Sequence, residues 1–203
     1  MTEKKEKIKF FDEASESWDE KIPPIDGNPV FEEWFSSLCI KNGDAVLDFG
    51  CGTGRLIPRI WEKIKPDGKI YAVDFSPSMI STAQKKFSHI PVIWYCAFPE
   101  SLPIPPESLD AIILLSVFPH FDDMGKDLLY LSQKLKNDGH LWIVHLEGRD
   151  KINSLHKQIG RAVGSDLIPE KRTARKILLS ANLKIIKFED TKAKYIIHCQ
   201  KKV

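Results

Sequence analysis

Long apolar stretches are missing from this chain. The longest near-continuous one, Ala111 to Phe118, has eight residues and is interrupted by Ser116, far short of the roughly 18–20 that span a bilayer. Charge of one sign is missing as well. Lys plus Arg number 30 and Asp plus Glu 28, a net charge of +2, so the whole chain has no electrostatic reason to seek nucleic acid or an anionic membrane. Cysteine is sparse, at four (Cys39, Cys51, Cys96 and Cys199). No two stand at CxxC spacing, which argues against a disulfide framework and for a reducing, cytoplasmic setting. The six histidines form no HExxH and no Cys/His zinc-finger spacing, so no metal site is expected. The opening MTEKKEKIKF alternates charges and lacks the apolar core of a secretory signal. No repeat or low-complexity tract is visible.

What is present is an ordinary globular composition, 42% apolar and 29% charged over 203 residues, enough chain for one domain with a sizeable core. Residues 1–41 read as a helical lead-in broken at Ile22-Pro23-Pro24-Ile25. Phe10, Phe11, Trp18, Phe31, Trp34 and Phe35 make it too aromatic for a disordered tail. It is expected to pack as a lid on a domain spanning 42–203. From Asn42 strands and helices alternate. Strands are predicted at Ala45 to Phe49, Lys69 to Asp74, Pro91 to Tyr95, Asp110 to Leu115 and His140 to Leu146. Helices are predicted at Arg55 to Ile64, from Pro77 to about Phe87, and at Met124 to Leu135, the last ended by an Asn137-Asp138-Gly139 turn. Helices at Ile152 to Val163 and Glu170 to Ala181 precede a hairpin of Lys184 to Glu189 and Lys194 to Gln200. Alternation of this kind specifies a doubly wound α/β sheet, Rossmann-like, with helices on both faces.

The chemical signal is Val46-Leu47-Asp48-Phe49-Gly50-Cys51-Gly52-Thr53-Gly54. A buried strand runs into three glycines and then a helix, which lets a ligand approach the main chain. Asp74 ends the next strand, placed to accept hydrogen bonds from ribose hydroxyls, so the pattern points to a nucleoside cofactor. The glycines are not spaced as the dinucleotide GxGxxG, because Arg55 stands where the third would fall. Asp48 would repel a pyrophosphate and attract an ammonium group. Both features favour S-adenosyl-L-methionine over NAD. Cys51 reads as a small buried spacer, and Cys39, Cys96 and Cys199 as core.

VLDFGCGTG followed by YAVDFSPSMI resembles the class I S-adenosylmethionine-dependent methyltransferases of the small-molecule, UbiE-like type. SLDAIILLSVFPHF and LKNDGHLWIVH agree with that family's fourth and fifth strands. The resemblance implies a seven-stranded sheet of order 3-2-1-4-5-7-6 with the last strand antiparallel. It also implies a methyltransferase acting on a small-molecule acceptor. It assigns Asp48, Gly50 and Gly52 to the methionine end of the cofactor, Asp74 to the ribose, and Phe75 and Ser76 to the adenosine. Cys51, Gly54, Ala97, Phe98 and Ser116 complete the expected cofactor set. One position departs from the family: Phe98 stands where an acid often binds the adenine amino group. That departure motivates an alternative, a protein that binds S-adenosylmethionine or its product without transferring a methyl. A nicotinamide-linked oxidoreductase is a third reading, disfavoured by Asp48 and the glycine spacing.

Ligands of open α/β sheets bind beyond the carboxyl ends of the strands. Ser116, Phe118 and His120 follow the fourth strand, and His145 and Glu147 end the fifth. His145 and His120 are therefore the candidate bases, since an imidazole titrates near neutrality. Phe11, Trp18, His120, His145 and His156 form the expected acceptor site, with residues 149–169 as a second lid. If the three histidines converged they would also suit a metalloid. Ser116-Val117-Phe118-Pro119-His120 lacks the Asn/Asp-Pro-Pro-aromatic motif of enzymes that methylate base amines, so no nucleic-acid partner is expected.

Overall fold

The computed structural model describes residues 3–160 and 162–202. The chain divides into two compact units, Met1–Ala97 and Phe98–Val203. The sheet has seven strands in the order β3-β2-β1-β4-β5-β7-β6 and is flanked by helices.

The first unit opens with helices α1 (Glu3–Ala14), α2 (Trp18–Lys21) and α3 (Pro29–Ser36). Asn28 starts α3 by accepting hydrogen bonds from the Val30 and Phe31 amides, with Pro29 in the first turn, where its missing N–H costs nothing. Strand β1 (Ala45–Phe49) leads through the glycine turn to α4 (Ile57–Ile64), then β2 (Lys69–Asp74), α5 (Pro77–Lys86) and β3 (Val92–Cys96). β1 pairs with β2 and β2 with β3, both parallel. Ile57, Ile60 and Ile64 of α4 are wholly buried, each side chain contributing about 1.5–3 kcal/mol through removal from water. Pro58 falls in the first turn, as its place in the sequence requires.

The second unit holds β4 (Leu109–Leu115), α6 (Met124–Ser132), β5 (Leu135–His145), α7 (Arg149–Ile159), α8 (Lys171–Ser180), β6 (Leu183–Asp190) and β7 (Tyr195–Lys201). β4 and β5 are parallel, whereas β7 runs antiparallel to both β5 and β6. Ile112, Ile113 and Leu114 are fully buried in succession, as a strand covered on both faces must be.

Three details differ from the sequence reading. Helix α6 stops at Ser132, and Asn137-Asp138-Gly139 lies inside β5 instead of ending the helix. Leu135 already pairs with Leu109, and pairing resumes at His140 with Ala111. The turn residues therefore form an irregularity within the strand, with Asp138 at φ 61°. Helix α7 begins and ends earlier than predicted. It closes at Gly160, whose φ of 78° leaves the helical region, and Arg161 lies outside the described residues. Cys39 and Cys96, expected in the core, are exposed. Cys39 points outward between buried Leu38 and Ile40, and Cys96 ends β3, the terminal strand of the sheet order.

Candidate active site

In the first unit the glycine turn is an extension of β1. Gly50 and Cys51 both donate their amides to the Val73 carbonyl of β2, at 2.7 and 2.9 Å. Gly50, Gly52 and Gly54 have φ of 74°, 53° and 85°, a region that side chains disfavour. Their roles differ. A Cβ on Gly54 would stand 2.9 Å from two ring carbons of Phe87, so this glycine admits the end of α5. A Cβ on Gly52 would meet only the Trp18 Nε1, at 3.7 Å.

Two carboxylates flank the turn. Asp74, at the end of β2, accepts hydrogen bonds from the Gly52 and Ser76 amides, each at 2.9 Å. Burial nevertheless raises its pKa to about 6, outweighing these donors. Asp48 is 2% exposed and its Oδ2 has no hydrogen-bond partner. Burial, and then the charge of Asp74, raise it to about 7. A buried acceptor of this kind costs free energy unless a donor or cation reaches it. Cys51 is also buried, and its thiol is pushed well above its ordinary pKa by burial and by both carboxylates. It is not a thiolate nucleophile.

The N-terminal helices lie across this turn within the same unit. Phe11 meets Phe75 edge-on at 5.4 Å and Trp18 at 5.5 Å. Asp12 accepts from the Ser76 hydroxyl at 2.5 Å and the Ser78 amide at 3.2 Å, a carboxylate at the N-terminal end of α5, where the helix field favours it. Ser76 in turn caps α5 by accepting from the Met79 amide. Asp19 accepts from the Thr53 hydroxyl at 2.6 Å and pairs with Lys86. Farther along, Arg55 donates to the Pro23 carbonyl at 2.7 Å, and Arg59 pairs with Asp26 and Glu32. Ala97 donates its amide to the Asp74 carbonyl at 3.1 Å.

In the second unit three of the predicted histidines come together. His120 closes the short 3₁₀ turn Phe118–His120 after β4. Its Nδ1 lies 2.7 Å from the Asp166 carboxylate. The His156 ring, on α7, stands 5.0 Å from that of His120, centroid to centroid, and its Nδ1 lies 2.5 Å from the Asp166 carbonyl. His145 ends β5, 2% exposed, with Nε2 unpartnered and its ring edge-on to Tyr195. Burial, helped by His120 and His156, lowers its pKa to about 3. The ring is therefore neutral at physiological pH, with one of its two nitrogens protonated. Among the described residues no group of three or more His, Cys, Asp or Glu is placed to hold a metal ion, so the convergence of these rings does not make a metal centre. Ser116 leaves β4 at φ 61°, its amide bonded to the Val144 carbonyl. Phe98, half-buried, accepts from the Ser101 amide through its carbonyl. Glu100 stands near enough to Asp127 to help raise that carboxyl to about 6, after burial.

Sequence reasoning missed Asp12, Asp19, Thr53 and Asp166. The first two adjoin the aromatic residues Phe11 and Trp18, a local signal of sorts. Asp166 is 46 residues from His120, and nothing in the sequence ties the two.

A family profile described as a methyltransferase domain matches residues 46–139. An uncharacterized methyltransferase of Geobacillus kaustophilus is 30% identical over 154 residues, covering 72% of this chain and 70% of that protein. A malonyl-[acyl-carrier protein] O-methyltransferase of Acetivibrio thermocellus is 35% identical over 96 residues, 47% of this chain and 33% of that protein. The crystal structure of a methyltransferase from Aquifex aeolicus superposes with a TM-score of 0.69 at 21% identity, covering 98% of each chain. At that identity the superposition speaks for the fold. No helix among the described residues is long and apolar enough to cross a membrane.

Proposed function

The chain belongs to the class I S-adenosylmethionine-dependent methyltransferases, with S-adenosyl-L-methionine as cofactor, and we propose that it methylates a small-molecule acceptor. The cofactor supplies an electrophilic methyl group on a sulfonium. The residues fit it: the buried, unpartnered Oδ2 of Asp48 suits an ammonium group, and the Gly52 main chain has no Cβ to block close approach. Asp74 keeps lone pairs for ribose hydroxyls although the Gly52, Ser76 and Phe75 amides already bond it. Phe75, Ser76, Ala97 and Phe98 take the adenosine in this reading. Gly50, Cys51, Gly54 and Ser116 shape the backbone around it.

Methyl transfer is an in-line displacement in which alignment and exclusion of water do most of the work. The aromatic residues Phe11 and Trp18 serve that end, with residues 1–41 acting as a lid over the cofactor. His120, His145 and His156 are the residues assigned to the acceptor in this reading. Four free cysteines suit work in the reducing cytoplasm, and the near-zero net charge suits a partner other than nucleic acid.

The observation that carries this reading is Asp48, a buried carboxylate beside a glycine turn whose Oδ2 has no hydrogen-bond partner. Purified protein incubated with methyl-labelled cofactor and a fractionated small-molecule extract tests it. Label recovered in a low-mass product is the expected result. Cofactor binding with no transfer to any fraction would favour the non-catalytic binder instead.

A further inference from the structure

We infer that residues 3–21 form a strap that must swing aside for the cofactor to enter or leave, and that Asp19 is the latch that holds it shut. The inference rests on the cofactor reading above and concerns the first unit alone. The lid divides into two parts that are held in different ways. From Pro23 onward it is rooted on α4. Arg55 donates to the Pro23 carbonyl at 2.7 Å, and Arg59 donates to Asp26 at 2.8 Å and to the two Glu32 carboxylate oxygens at 3.0 and 2.7 Å. Ile25, Phe31, Trp34 and Phe35 are buried there, and the Arg59 guanidinium stands 5.2 Å from the ring centres of Phe31 and Phe35.

The strap has little such burial. Phe10, Phe11 and Trp18 are half-buried, and α2 buries no residue. Ala14 is the one buried apolar side chain among the described residues of α1. Few buried apolar contacts put a segment at the easily opened end of a protein's local stabilities. The boundary between root and strap is set by sequence. Pro23 keeps Ile22 extended, at φ −110° and ψ 139°, so α2 ends there and the strap turns as a unit about Ile22.

Polar pins hold the strap instead. Asp12 accepts from the Ser76 hydroxyl and the Ser78 amide at the start of α5. Asp19 accepts from the Thr53 hydroxyl at 2.6 Å through one oxygen and pairs with Lys86, at the end of α5, through the other. Thr53 is buried in the glycine turn. One carboxylate thus ties the strap both to the turn after β1 and to the helix after β2, the two elements that carry Gly52 and follow Asp74. Between the pins Trp18 lies over Gly52, its Nε1 3.7 Å from where a Cβ would stand, and Phe11 meets Phe75 edge-on at 5.4 Å. A ligand drawn up to Gly52 and Asp74 is enclosed while the pins hold. Asp12 bonds the fully buried Ser76, whereas the Lys86 and Asp19 side chains keep 36% and 42% of their surface exposed. An ion pair that open to water is readily broken and weakens with salt, which makes Asp19 the pin that yields first.

The test compares wild type with Asp19→Asn. Without cofactor, hydrogen–deuterium exchange of residues 5–21 should quicken about 10-fold in the variant, the worth of a charge-assisted hydrogen bond, while exchange of α3 stays as it was. Stopped-flow tryptophan fluorescence with S-adenosylhomocysteine then separates a gate from a ligand contact. A gate moves entry and release together, so both rates should rise about 10-fold with Kd within about threefold, whereas a lost contact raises release alone. Raising salt from about 0.05 to about 0.5 M should speed both wild-type rates and leave those of Asp19→Asn nearly unchanged. Lys86→Met, which removes the ion pair and spares the Thr53 hydrogen bond, should shift both rates the same way by about threefold. Unchanged exchange of the strap, faster release with unchanged entry, wild-type rates indifferent to salt, or a Lys86→Met protein that behaves as wild type would each overturn the latch. Failure of the wild type to bind any adenosyl ligand would instead count against the cofactor reading, while the exchange comparison would still decide the latch.

Discussion

Replacing Asp48 with Asn should make the protein more stable alone and worse at holding its cofactor. The Asp48 carboxyl has its pKa raised from 3.8 to about 7 by burial and by Asp74. Between those values the folded chain keeps a proton that the unfolded chain has released. Stability therefore declines as pH rises across the window, and the loss is complete above it. Three pH units correspond to about 4 kcal/mol at roughly 1.4 kcal/mol each. Asn keeps the shape and has no proton to lose. Asp48→Asn should be indistinguishable from wild type near pH 4. Above about pH 7 it should gain stability approaching that figure, on the order of 10 °C in Tm for a chain of this length. An ammonium paired with Asp48 is worth about 1.5–3 kcal/mol, so cofactor affinity should fall by about 10- to 150-fold. Thermal melts from pH 4 to 8, with and without S-adenosylmethionine, read both effects. An Asn variant that melts no higher than wild type at pH 8, or that binds the cofactor equally well, would refute the reasoning.

Other substitutions probe other parts of the site. Asp74→Ala should weaken cofactor binding by ~1–3 kcal/mol through lost hydrogen bonds to a charged group, and unchanged affinity by calorimetry would place the ribose elsewhere. Gly54→Ala should destabilise by about 2–4 kcal/mol, because its Cβ would meet the Phe87 ring at 2.9 Å from a φ of 85°; denaturant melts that match wild type would contradict this. His145 has its pKa lowered from 6.5 to about 3 by burial. Acidification thus protonates the unfolded chain first and lowers stability from about pH 6.5 downward. His145→Gln should flatten that acid limb of Tm against pH, and an unchanged slope would show that the ring is not buried neutral.

Much of the fold was legible because its signals are local and mutually consistent. β1 and β2 fall at the predicted residues, and Ser76-Pro77 starts α5 as a cap followed by proline should. The bulge in β5 was not legible, since Asn137-Asp138-Gly139 signals a turn whether it ends a helix or interrupts a strand. Only the pairing with Leu109 decides between them. The site divides in the same way. Asp48, the glycines and Asp74 lie within one β-turn-α-β stretch and can be read from spacing. Asp12, Asp19 and Asp166 act through contacts spanning 64, 34 and 46 residues, which no local pattern encodes. His145 shows the complementary limit: its residue type marked it as a candidate base, but the burial that lowers its pKa to about 3 is something sequence shows poorly for a single histidine.

The most direct measurement is a calorimetric titration of the purified protein with S-adenosylmethionine, S-adenosylhomocysteine and NADH. The account predicts micromolar binding of the two adenosyl ligands, lost on replacing Gly52 with Val, and none of NADH. Binding of NADH, or of neither adenosyl ligand, would contradict it.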